Sequence, residues 1–393
     1  MKRVQTGIET FLSDLPSWIQ DQRIGLLCNP ASVDADFRHS RLSIEARLPG
    51  QITALFSPQH GLFSEKQDNM IESEDGLDPV LKVPAFSLYG KTRCPDQDMY
   101  DRIDTLIVDL QDVGTRVYTF TSTLSYCMEA ARRYGKRVLI LDRPNPLGGV
   151  KVEGNCLSEP CRSFVGRYPV PMRHGMTIAE YAGMINDHFD IGCDLHISPM
   201  KGWKRPMFFM DTGLPWIAPS PNLPTPASAM VYPGQVIWEG TNVSEGRGTT
   251  QPFECLGAPY IEPEKLLSYM GKWELPGVIL RETAFEPTFN KWQGHFCRGF
   301  HLHVLDASTY QPYETTLLLL HAVMAIHHES FQWKKPPYEY EFEKLPIDLI
   351  VGDSGLRRRL EELHDPSEIF KSWKPALEQF KILSKRYYLY GYE

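Results

Sequence analysis

The chain has 393 residues, more than one hydrophobic core usually holds, so two domains or one domain with a large elaboration is expected, and a short peptide module is excluded. Hydrophobic residues make up 42%, with 8 Trp, 18 Tyr and 19 Phe, enough apolar surface to drive folding and to exclude intrinsic disorder. The formal charge of −8 arises from 41 basic and 49 acidic side chains without a long run of either sign, which argues against a nucleic-acid partner.

Taken in chain order, apolar residues at helical spacing over 8–20 predict a first helix. The mostly apolar runs 23–28, 52–56, 105–109 and 137–142 have the length of strands covered on both faces, as in a parallel sheet. A helix is predicted over 118–134, where Leu124, Cys127, Met128 and Ala131 share one side. Another begins at the capping box Thr177-Ile178-Ala179-Glu180 and runs to about residue 186. This is the rhythm of a doubly wound, Rossmann-like α/β domain. No GxGxxG follows the first strand and no GxxxxGK[ST] occurs, so no nucleotide cofactor is expected.

Between 200 and 260 the prolines at 215, 219, 221, 224, 226 and 233 crowd the chain, and no long regular element is predicted there. A mixed pattern resumes after 263: a helix over 264–272, strands at 277–280 and 299–304, and a helix over 315–327. The expected division is a Rossmann-like N-terminal domain over 1–195 and a smaller α+β C-terminal domain over 196–393. No window approaches the ~20 apolar residues of a membrane span. The first residues also lack the apolar core of a signal peptide, so a cytoplasmic protein without a membrane partner is expected. The eight cysteines are scattered without CxxC spacing, which predicts free thiols rather than a zinc site.

In doubly wound sheets, ligands bind where strands end at their carboxyl edge, and each predicted strand here runs into polar residues. After the second come Ser57-Pro58-Gln59-His60-Gly61, where Gln59 can orient a hydroxyl or water and His60 can shuttle a proton or simply cap a neighbouring backbone group. After the third, Asp109 to Arg116 place two carboxylates, an amide, a hydroxyl and a guanidinium together, as a site or as an ion-pair and capping network. The loops Arg143-Pro144-Asn145-Pro146, Arg173-His174-Gly175-Met176 and Pro219-Ser220-Pro221-Asn222 offer guanidinium groups suited to gripping a carboxylate through two parallel bonds, with Asn145, His174 and Asn222 as further polar contacts. His60, Asp109 and Asp112 could in principle meet around a metal, but no HExxH or other recognised ligand spacing supports this, and no metal is expected.

The segment Trp238 to Thr249 is the most unusual. It carries three glycines in nine residues and buries little apolar area, yet it holds Glu239, Asn242, Glu245 and Arg247, so it is read as a functional loop. Two converging glutamates on such a loop suit glycosidic hydrolysis, in which one carboxyl protonates the leaving oxygen and another acts as nucleophile or base.

In order along the chain, SPQHG, DLQDVGTRVYTF, LDRPNPLGG, SFVGRYPVPMRHGMT, LPWIAPSPNLPT, YPG, EGTNVSEGRGTTQPFE and the closing YYLYGY resemble the exo-β-N-acetylmuramidase family of bacterial peptidoglycan turnover, long catalogued as a domain of unknown function. The resemblance implies hydrolysis of terminal N-acetylmuramic acid from the non-reducing end of peptidoglycan fragments, in a cleft between two domains and without a nucleotide cofactor. It also implies a substrate bearing a lactyl carboxylate, for which Arg116, Arg143, Arg173 and Arg247 are candidate partners, with Tyr118, Trp216 and Trp238 as stacking surfaces. Many relatives are exported, whereas a cytoplasmic member would meet small imported muropeptides. The family's usual first motif is PEHG, whose glutamate is a leading catalytic candidate, and this chain has Gln59 there. An amide cannot donate a proton as an acid does. The expected assignment is therefore Glu245 or Glu239 as acid and Asp109 or Asp112 as the group stabilising positive charge or activating water, with His60 nearby. The rival is a carbohydrate-binding protein of altered or lost activity on the same scaffold.

Overall fold

A computed structural model describes residues 3–67 and 70–393. The strands, in chain order, are β1 (Ile24–Cys28), β2 (Ile52–Ser57), β3 (Gly76–Leu77), β4 (Pro84–Ser87), β5 (Thr105–Asp109), β6 (Arg137–Leu141), β7 (Glu153–Cys156), β8 (Pro171–Arg173), β9 (Asp194–Ser198), β10 (Cys255–Ala258), β11 (Val278–Phe285) and β12 (Cys297–Val304). Seven of them form one sheet in the order β3-β4-β2-β1-β5-β6-β9, parallel except where β3 pairs with β4. The order reverses at β1, whose neighbours β2 and β5 lead outward in opposite directions, so a crevice opens at the carboxyl ends there.

The four apolar runs are strands because both faces of the sheet are buried. Leu106 and Val108 point into one core while Ile107 points into the other. The first of these cores continues without a break into the later half of the chain through Trp238, Phe300, Tyr313 and Leu317, so the two parts are joined by shared apolar packing. A three-stranded antiparallel sheet, β10-β12-β11, forms the smaller α+β part. The helices Phe120–Tyr134, Ile178–Asp187, Pro263–Met270 and Pro312–Ile326 lie where periodicity predicts them. Thr177 and Glu180 form the expected capping box, and Gly135 at φ 64° ends the helix before it in the left-handed conformation.

Three expectations change. The first helix covers only Gly7–Ser13, because Pro16 ends the helical stretch and a short 3₁₀ turn, Ser17–Ile19, follows. The proline-rich stretch holds a helix after all, Pro226–Gln235, with the Thr225 hydroxyl accepting from the Ser228 amide and Pro226 in the first turn, where its missing N–H costs nothing. Four short helices, Pro346–Val351, Ser354–Glu361, Pro366–Ser372 and Lys374–Ser384, occupy a region assigned no elements from the sequence. Among the described residues, no helix is long and apolar enough to cross a membrane.

Candidate active site

Two tight turns face each other across a cavity at the sheet's carboxyl edge. After β2 the chain bends sharply at His60 and Gly61, with φ of 77° and 87°, which carries Gln59 and His60 off the strand end. Opposite, the backbones of Tyr338 and Glu341 exchange two hydrogen bonds of 2.9 Å, closing a two-residue turn whose central residues, Glu339 and Tyr340, have φ of 48° and 67°. Such turns normally carry Asn-Gly, because positive φ crowds a Cβ. Holding Glu and Tyr there costs of order 1–3 kcal/mol per residue, a pattern concentrated at functional sites.

The cavity is lined by Gln59, His60, Tyr118, Thr119, Ser220, Tyr232, Glu239, Arg247, Phe253, Tyr338 and Glu339, among others. The Gln59 amide is fixed at both ends: its oxygen accepts from Thr119 Oγ1 at 2.7 Å and its nitrogen donates to Glu339 Oε1 at 3.1 Å. Tyr89 donates its hydroxyl proton to the other carboxyl oxygen of Glu339 at 2.5 Å. Burial raises the Glu339 carboxyl to about 6, the Tyr89 bond opposing the rise and the nearby Glu239 charge adding to it.

Glu239 sits in a 3₁₀ turn, Val236–Gly240, that continues the helix Pro226–Gln235. Arg247 pairs with it at 2.8 Å, and Tyr338 donates to its other oxygen at 2.7 Å. Glu245 stands behind this layer. It is 1% exposed and held by Arg247 at 2.9 Å and Lys291 at 2.6 Å. Burial alone would raise its carboxyl, but Lys291 and then Arg247 outweigh burial and bring it down to about 2. The Lys291 ammonium also donates to the carbonyls of Trp238 and Val243 at 2.6 and 2.7 Å, so it ties the glycine-rich segment together from within. Gly248, at φ 80°, lies so close to Phe289 that a Cβ would fall 2.5 Å from its carbonyl oxygen.

Of the residues singled out from sequence, Gln59, His60, Tyr118, Glu239 and Arg247 meet at this cavity. The His60 ring nitrogen Nδ1 lies 2.7 Å from the Lys66 carbonyl, as a backbone-capping histidine would. Tyr118 presents a buried hydroxyl with no hydrogen-bond partner among the described residues. The others have structural attachments. Asp109 is fully buried in a two-pronged pair with Arg143, at 2.5 and 2.9 Å, and so forms the ion-pair network that was the other reading of that segment. Asp112 accepts from the Gly114 amide at 2.7 Å and lies 3.4 Å from the buried His174. Arg116 donates to the carbonyls of Asn155, Val170 and Ile350, and Arg173 to that of Leu147. Asn145 donates to the Met176 carbonyl, and Asn242 to that of Ser330. Asn222 donates to the Gln67 carbonyl at 2.7 Å and Asn29 to that of Pro219 at 2.8 Å, which docks the PSPNLP loop on the sheet edge. Among the described residues, no three His, Cys, Asp or Glu side chains gather to hold a metal.

Trp238 does not offer a stacking face, because its ring is fully buried and its indole N–H donates to Gln235 at 3.1 Å. Trp216 and Arg143 line a separate cavity together with Gln111. Sequence reasoning missed Glu339, Tyr338, Tyr89, Lys291 and Arg93. The Arg93 guanidinium lies 3.3 Å from the centre of the Tyr340 ring, and its buried Nε and Nη2 have no hydrogen-bond partner among the described residues. The one available signal was the dense YEYEFE run at 338–343, which reads as a surface charge pattern.

The N-terminal domain model of the NamZ exo-beta-N-acetylmuramidases matches residues 24–227, and the C-terminal domain model matches 230–390. The chain is 41% identical over 388 residues to the peptidoglycan beta-N-acetylmuramidase NamZ of Bacillus subtilis (strain 168), covering 99% of this chain and 92% of that protein. Its fold is similar to crystal structures of two DUF1343 family proteins of Bacteroides fragilis NCTC 9343. One has a TM-score of 0.89 at 32% identity over 99% of each chain. The other has a TM-score of 0.76 at 29% identity over 100% of each.

Proposed function

This chain belongs to the exo-β-N-acetylmuramidase family, and from that premise we propose that it is a glycoside hydrolase releasing N-acetylmuramic acid from the non-reducing end of peptidoglycan fragments. The observation that carries the reading is the meeting of Gln59 and His60 from the sheet edge with Glu239 and Arg247 from the glycine-rich segment around one cavity. Glycosidic cleavage needs two carboxyl groups at a bound sugar, and the two that line this cavity are Glu239 and Glu339. The glycine-rich loop of the C-terminal domain thereby contributes to an inter-domain cleft. The proposed setting is the cytoplasm, acting on small muropeptides, a reading supported by eight unpaired cysteines.

The test is turnover of a chromogenic N-acetylmuramic acid glycoside beside the glucosamine analogue lacking the lactyl group. Release from the first and little from the second is the expected result; release from neither overturns the reading. One residue favours a binding-only protein, Gln59 in place of the family's glutamate, and saturable binding of the muramyl glycoside without release would select it.

A further inference from the structure

We propose that Glu339 is the catalytic acid of this chain, taking over from the hairpin side of the cavity the proton-donating role for which Gln59 lacks the chemistry. This rests on the glycosidase reading above and names the group that performs its first step. The geometry supports it from three directions. Glu339 lines the cavity and receives the Gln59 amide at 3.1 Å, so its carboxyl stands beside the position where the family's PEHG motif carries a glutamate. Tyr89 and Gln59 each donate to one of its oxygens and fix the plane of the group. Its backbone is held at φ 48° in a turn that would ordinarily take asparagine or glycine.

Glu239 supplies the complementary carboxylate. It is paired with Arg247, and the Tyr338 hydroxyl holds it from the residue adjacent to Glu339. In the reaction, the Glu339 carboxyl proton passes to the glycosidic oxygen as the bond from C1 to that oxygen breaks and its electron pair stays with the oxygen. The aglycone leaves as an alcohol, and the positive charge growing at C1 faces the Glu239 carboxylate. One water then adds its oxygen to C1, and the single proton it releases passes to the Glu339 carboxylate while Glu239 stays ionised, restoring the starting state.

A proton donor must hold its proton at working pH, and burial among these groups raises Glu339 to about 6. The charged and titratable groups facing it are Glu239, Arg93 and Tyr89, with the tyrosines 232, 338 and 340 around them. Activity that needs the acid is therefore fullest below about 6 and declines as pH rises through that value.

The test compares two muramyl glycosides, one with an alkyl or sugar aglycone that must be protonated to leave and one with a dinitrophenyl aglycone that leaves unaided. Glu339→Gln should lose about 10²–10⁴-fold on the first and far less on the second. Equal losses on both, or normal turnover of the first, would overturn the assignment. Wild-type turnover of either glycoside secures the underlying reading independently, so the two failures are distinguishable. If the variant does not fold, the wild-type pH profiles decide: the fall near pH 6 should appear with the alkyl aglycone and vanish with dinitrophenol, and identical profiles would refute the role.

Discussion

Restoring a carboxyl at position 59 would probe the proposed acid without touching it. Gln59 Nε2 lies 3.1 Å from Glu339 Oε1, so Gln59→Glu would set two carboxyl groups against each other at about that separation. At an effective dielectric of ~20, two negative charges there repel by about 5 kcal/mol, equivalent to roughly four pKa units. Side-chain rotation and hydration relieve part of this, leaving an expected rise of ~2 units in the second ionisation of the pair. The first proton comes off readily, because the remaining one is shared across the pair, and the second is kept to about pH 8. The alkaline limb of kcat/KM on a muramyl glycoside with a poor leaving group should therefore move from about 6 in the native chain to roughly 8 in the variant. The measurement is a pH–rate profile of both proteins on that substrate. A limb that stays within half a unit of the native one would mean that the titrating group does not face position 59, and the reasoning would be wrong.

Glu245 has a different expected signature, in stability rather than proton transfer. Its folded value of about 2 lies below the ordinary 4.5, so its contribution is full above the ordinary value and is lost as pH falls toward 2, amounting to about 3 kcal/mol. Glu245→Gln should cost about 3–5 kcal/mol in urea unfolding by leaving Lys291 buried without its carboxylate, and adding Lys291→Met should recover part of the loss. A cost below 1 kcal/mol would refute this. Tyr390 donates to the buried Asp142 at 2.5 Å, and burial raises that carboxyl to about 7 despite the bond. The raised value means that the group's contribution to stability is fullest below the ordinary 3.8 and is lost as pH rises to about 7; the hydroxyl bond favours the ionised form, so Tyr390→Phe should cost about 1.5–3 kcal/mol at pH 8 and distinctly less at pH 5, and equal costs at the two pH values would contradict the assignment.

The sheet was legible because strands buried on both faces must be apolar throughout, and 105–109 and 137–142 cannot be read otherwise. The glycine-rich segment was legible because so many polar groups in so short a run mark a site, and Glu239 and Arg247 do line the cavity, although Glu245 serves an internal ion pair with Lys291 instead. The arginines were not, because whether a guanidinium faces a ligand depends on carbonyls brought in by the tertiary fold. Arg116 is consumed by oxygens at 155, 170 and 350, segments that nothing in its neighbourhood announces. Glu339 was hidden for a related reason. Its turn lacks the Asn-Gly that marks positive φ, so the strain that singles it out exists only in the folded backbone. Gln59 then takes on a different meaning from the one a motif comparison suggests. An amide in the place of a carboxyl removes a proton from that side chain, but not from the cavity, since the amide donates directly to a carboxyl that burial keeps near neutrality. A glutamate at 59 would add a second titrating group to the same point in space and so broaden the alkaline range of the acid. If Glu339 is the acid as proposed, the glutamine leaves one group with one proton, and the substitution is expected to adjust the pH range of the reaction rather than abolish it.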